Sequence, residues 1–154
     1  MAEKKLSYLS PMFVEILGLE FPRHWLEWEY LTDAHKRLLL VCSRDHGKTT
    51  FLEGLTLIRC AQRPNYEVCL ISYSDKQVNK MVSHITNWID TKSTISGLRP
   101  QSRSTTWSKT SLTFPETNAH LDTLSFGASG RGGHYDLVIV DDPVKDFSGM
   151  NADD

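Results

Sequence analysis

The stretch Leu38-Leu39-Leu40-Val41 runs without a break into Cys42-Ser43-Arg44-Asp45-His46-Gly47-Lys48-Thr49-Thr50, and a helical pattern starts directly after it. An apolar strand, a tight polar loop and a helix in that order are what a phosphate-binding loop requires. Successive backbone N–H groups and the positive end of the following helix can then surround a polyphosphate. Residues 37–41 accordingly read as a buried parallel strand. Gly47 allows close approach of the backbone, Lys48 is expected to reach the β- and γ-phosphates, and Thr49 to ligate Mg²⁺ through its hydroxyl. Ser43, Arg44, Asp45, His46 and Thr50 complete the lining of the loop. Arg44 reads either as an ordinary solvated arginine or as a guanidinium that touches the γ-phosphate from within the same subunit. The usual pattern has a glycine where this chain has Cys42.

A second motif, Asp136-Leu137-Val138-Ile139-Val140-Asp141-Asp142-Pro143, combines four apolar residues with two adjacent acids. In an open α/β sheet, ligands bind at the carboxyl ends of the strands, which is where these acids fall. Asp141 is expected to hold Mg²⁺ through water, and Asp142 to orient and polarise an attacking water as general base. Acids that merely face solvent at a strand end are the plain alternative.

The rest of the chain fits around these motifs. Apolar residues at helical spacing predict a helix over 8–19, with Ser10-Pro11 opening it and Gly18 stopping it. A second helix is expected from Pro22 to Tyr30, ended by Thr32-Asp33. Residues 49–62 read as a helix, 67–72 as a strand and 75–91 as an amphipathic helix. This alternation predicts an α/β fold with a mainly parallel central sheet flanked by helices. Residues 92–104 are Ser/Thr-rich and read as a mobile surface loop. Residues 105–107 and 111–114 read as a hairpin around Ser108-Lys109, and 121–126 as a further strand. Gly127 to Gly133 is a glycine-rich connector that contains Arg131.

Composition narrows the possibilities. The 154 residues suit one domain, and the 40% hydrophobic and 23% charged content is ordinary for a globular chain. A net charge of −2 is not that of a strongly basic nucleic-acid binder. Cys42, Cys60 and Cys69 fit no zinc spacing and read as buried reduced thiols. The six histidines are scattered without ligand spacing. No apolar run approaches the roughly 20 residues of a membrane span, so a soluble intracellular protein is expected.

Together, Phe21-Pro22-Arg23-His24-Trp25, the stretch from Lys36 to Thr49, and Asp136 to Pro143 resemble phage terminase large subunits. That family tolerates a non-glycine residue at the start of its phosphate loop and commonly carries an arginine within it. The resemblance covers roughly 20–147. It implies an ASCE-type P-loop NTPase that binds and hydrolyses ATP with Mg²⁺ as part of a homo-oligomeric ring around double-stranded DNA. It also implies portal and small-terminase partners, DNA translocation into a capsid, and residence in the host cytoplasm. Trp25 and Trp28 lie where relatives place adenine contacts, with core packing as the plain alternative. Arg131 falls where an arginine finger would reach a neighbouring subunit's ATP, or is a surface arginine in a loop.

On this reading 1–36 is an N-terminal helical segment and 37–154 the ATPase core, truncated after the acidic strand and lacking the family's nuclease domain. Two alternatives remain. One is another DNA-dependent P-loop ATPase of helicase or recombination type. The other is a non-catalytic nucleotide-gated assembly module.

Overall fold

A computed structural model of the chain describes residues 7–43, 45–102, 105–126 and 133–142. Among them are four strands, β1 (Glu67–Ser72), β2 (Ser111–Phe114), β3 (Ala119–Ser125) and β4 (Leu137–Asp141), and four helices. The helices are α1 (Leu9–Pro11), continued by a π-helical stretch Met12–Leu17, then α2 (Arg23–Ala34), α3 (Lys48–Gln62) and α4 (Asp75–Thr91).

The sheet has the order β2-β3-β1-β4. β1 runs parallel to both β3 and β4, and β2 is antiparallel to β3. Its register sets Val68 beside Leu121 and Leu137, then Leu70 beside Thr123 and Ile139, then Ser72 beside Ser125 and Asp141. Apolar rows therefore lead to a polar row at the carboxyl end. Val68, Leu70, Leu121 and Ile139 are buried in one core with Leu55, Ile58, Met81, Val82 and Ile85 of α3 and α4. β4 is buried on alternate residues only, for Val138 and Val140 are 50% and 46% exposed. Among the described residues β4 is an edge strand of the sheet, with one open face.

The predicted strand over 37–41 is not formed. These residues pair with no strand, and Leu39 and Val41 are 84% and 86% exposed. An apolar run becomes a strand only where a neighbour supplies a hydrogen-bond ladder, and among the described residues none does.

The N-terminal segment is tied down by buried charge. Glu29 of α2 accepts hydrogen bonds from the backbone N–H groups of Tyr8 (2.8 Å) and Leu9 (3.3 Å) and from the Ser7 hydroxyl (2.5 Å). These are donors that a helix start leaves unsatisfied. The first helix therefore opens at Leu9, ahead of Ser10-Pro11. Arg59 of α3 bridges Asp33 and the Tyr8 hydroxyl at 2.5 Å each. α2 accordingly runs past Thr32-Asp33 to Ala34. Gly18 ends the π-helical stretch at φ +67°, with its N–H donating to the Phe13 carbonyl.

The Ser/Thr-rich segment after α4 includes a 3₁₀ turn, Ser96–Leu98, and is anchored to the core through the buried Leu98, while most of its described residues are exposed. The expected hairpin around Ser108 is reduced to one bridge, Trp107 with Leu112, and β2 makes its full ladder with β3. Cys60 and Cys69 are buried and Cys42 is partly so, and all three are free thiols. No helix among the described residues is long and apolar enough to cross a membrane.

Candidate functional site

The loop that precedes α3 is shaped by two left-handed residues, Asp45 (φ +66°) and Gly47 (φ +72°). Gly47 is the N-cap of α3, so the helix begins at Lys48 and its first amides point into the bend. α2 supports the loop from behind. His24 Nε2 and Trp25 Nε1 both donate to the His46 carbonyl, at 3.0 and 3.3 Å. A Cβ on Gly47 would lie 2.7 Å from Trp25 Cζ2. Gly47→Ala combines that clash with a left-handed φ that costs about 1–2 kcal/mol for an L-residue. It is expected to lower both stability and nucleotide affinity, read by thermal unfolding and by ATP titration.

Trp25 and Trp28 are 4% and 8% exposed. They pack against Phe51, with Trp25 also edge-on to Phe13 and Phe21. Core packing is therefore what they do, and the adenine role has no geometric support.

β4 carries the acids to the loop. Thr49 Oγ1 donates to Asp141 Oδ2 at 2.7 Å, and Lys48 Nζ lies 2.9 Å from Asp142 Oδ1 and 3.2 Å from Asp141 Oδ1. The tertiary structure thus joins Lys48, Thr49, Asp141 and Asp142, as the two motifs required. Burial pulls the Lys48 ammonium down, but its hydrogen bond to Asp142 and the adjacent Asp141 carboxylate outweigh this and leave its pKa raised. Asp141 is buried, and its Oδ1 accepts no hydrogen bond although the Lys48 ammonium is near. Asp142 is more exposed, with φ +45°, a conformation Asp and Asn tolerate better than most residues.

The remaining predicted residues are less involved. Ser43 Oγ hydrogen-bonds His46 Nδ1 at 3.1 Å within the loop. Asp45 contributes the turn, and Thr50 lines a cleft beside Thr49. Arg44 and Arg131 lie outside the described residues.

That cleft, of about 300 Å³, brings in residues the sequence did not single out. Thr49, Thr50 and Glu53 of α3 face Gln77, Lys80 and His84 of α4, with Ser72, Asp141 and Asp142 at the strand ends. Glu53 is 1% exposed, and His84 Nδ1 shares a hydrogen bond with its two carboxyl oxygens at 3.0 and 3.2 Å. Burial, then the negative charge of Asp141, push the Glu53 carboxyl up to about 8, against a smaller downward pull from Lys80. A signal for Glu53 was present in the sequence. It is an acid one helical turn beyond Thr49, on the same side of the helix. His84 had no such signal, because its partner lies on another helix.

An orphaned buried carboxylate oxygen beside a threonine hydroxyl is a hard-oxygen donor set that fits Mg²⁺, which keeps several waters and takes few protein ligands. Among the described residues there is no cluster of three or more His, Cys, Asp or Glu side chains that could hold a metal ion.

No protein-family model matches the chain, and no curated protein matches it. Among solved structures, the fold is similar to that in the crystal structure of the HK97 bacteriophage large terminase, with a TM-score of 0.68 and 14% sequence identity. The match covers 88% of this chain and 31% of that one, so this chain spans about a third of its neighbour's length. The chain has a terminase-like mixed α/β fold.

Proposed function

We propose that this chain is the ATP-binding part of a terminase large subunit, an ASCE-type P-loop ATPase that binds and hydrolyses ATP with Mg²⁺ to drive viral DNA into a capsid. The observation that carries this reading is the contact of Lys48 and Thr49 with Asp141 and Asp142, across two motifs far apart in the sequence. The terminase-like fold supports the packaging context.

In this reading the amides at the start of α3 and the Lys48 ammonium bind the β- and γ-phosphates. Thr49 and Asp141 would hold Mg²⁺, directly and through water respectively, and the ion would neutralise charge on the phosphate oxygens. Asp142 orients the attacking water and takes its proton as that oxygen bonds to the γ-phosphorus and the bond to ADP breaks. Arg44 and Arg131 are assigned to charge stabilisation, the second from a neighbouring subunit in a ring around double-stranded DNA. Portal and small-terminase partners belong to the same proposal.

Asp142→Asn tests the chemistry. Asn is nearly isosteric and accepts the left-handed backbone, but it cannot serve as the base. ATP affinity by titration calorimetry is expected within about threefold of wild type, while phosphate release by the DNA-bound assembly falls by about 10²-fold or more, the scale of general-base catalysis. Unchanged turnover would exclude Asp142 as the base.

A further inference from the structure

Glu53 is a buried acid in the cleft with no part in the steps above. An acid at a position this buried, on the face of α3 that carries Thr49, costs stability unless something compensates it. Its one hydrogen-bonding partner seen here is His84, whose side chain is 47% exposed, and Lys80, on the same face of α4, is exposed. Across the cleft Asp141 presents a second buried carboxylate whose Oδ1 accepts no hydrogen bond. Asp141 Oδ1 has the Lys48 ammonium 3.2 Å away on one side, and a hydrated cation in the cleft would give it a second partner while favouring the charged form of Glu53.

We propose that Glu53 is a further binding residue of this site, accepting hydrogen bonds from water in the outer shell of the magnesium ion opposite Asp141, with His84 as the residue that positions it. This rests on the Mg–ATP reading above. An outer-shell role follows from geometry. The cleft, about 300 Å³, has room for several waters, and its carboxylates do not converge as direct ligands. Magnesium dehydrates reluctantly and is held largely through its waters. Glu53 stands one helical turn beyond Thr49, so inner ligand and outer-shell acceptor rise from one face of one helix. The two-oxygen contact with His84 fixes the plane of the carboxyl, as partners of metal-site residues commonly do. It also joins α4 to the helix that carries the phosphate loop.

The test is titration calorimetry of ATP with and without Mg²⁺ on wild type, Glu53→Gln and His84→Ala. Wild type is expected to bind ATP more tightly with Mg²⁺. Glu53→Gln keeps the shape of the side chain and removes its ability to become a carboxylate when the cation binds. It is expected to reduce the strengthening by Mg²⁺ about tenfold, the usual scale for loss of an outer-shell partner. Its Mg²⁺-free ATP affinity should be unchanged. His84→Ala, at an exposed position, is expected to give a smaller loss in the same direction. Full retention of the Mg²⁺ effect in Glu53→Gln overturns the assignment. So does an equal fall with and without the metal, which is what a purely structural role produces. Wild type that binds no ATP under either condition would instead overturn the nucleotide reading itself.

Discussion

Lys48→Ala is expected to abolish measurable ATP binding, raising Kd by about 100-fold or more. Lys48 is the only lysine or arginine among the described residues of the loop, and the first residue of α3, so no other described residue of the loop replaces its charge at the phosphates. A hydrogen bond to a charged group contributes about 1.5–3 kcal/mol, and losing contacts to two phosphates amounts to about 3 kcal/mol or more. At about 1.4 kcal/mol per tenfold that is at least 100-fold. The change also leaves the buried Asp141 with Thr49 as its one remaining side-chain partner, so a modest loss of stability accompanies it. Titration calorimetry, with circular dichroism to establish that the variant is folded, reads the effect. An affinity within about threefold of wild type would remove Lys48, and with it the phosphate loop, from the assignment.

Phe13→Ala is expected to be the most destabilising single change in the N-terminal half, by about 3–5 kcal/mol in urea unfolding. Phe13 is 0% exposed, and its ring centroid lies 5.1 Å from that of Trp25, 5.4 Å from Phe21 and 6.2 Å from Phe51. It also covers Gly54, where an added Cβ would fall 2.2 Å from Phe13 Cζ. Gly54→Ala alone is therefore an overpacking change of about 1–3 kcal/mol, only partly offset by better helix propensity. In the double variant the ring is absent and the new methyl has space, so the combined loss should be clearly smaller than the sum. Additive losses would mean that Phe13 and Gly54 do not meet. The consequence reaches the site, because Phe13 supports Trp25, and Trp25 supports the His46 carbonyl and Gly47.

Local pattern was informative wherever a segment could satisfy its own backbone. β1 occupies 67–72 and α4 occupies 75–91, as read from alternation and helical spacing. Ser74 caps α4 by accepting from the Gln77 N–H, a contact within one turn. The apolar run 37–41 had equally strong composition but depended on a partner strand, which no local pattern supplies. Trp25 and Trp28 show the same limit. Their type suits an adenine platform or a core equally, and only the position of Phe13, Phe21 and Phe51 around them decides for the core.

By itself the sequence determined a bend ending in Gly47-Lys48-Thr49, an acidic strand end at Asp141-Asp142 and the alternation of helices with parallel strands, because each is written in neighbouring residues. The tertiary structure decided that Thr49 and Asp141 meet, that β4 is an edge strand of the described sheet, that His24 and Trp25 brace the loop, and that Glu53 and His84 line the cleft. Those outcomes depend on sheet order and helix packing, which set distances between residues that the chain itself holds far apart.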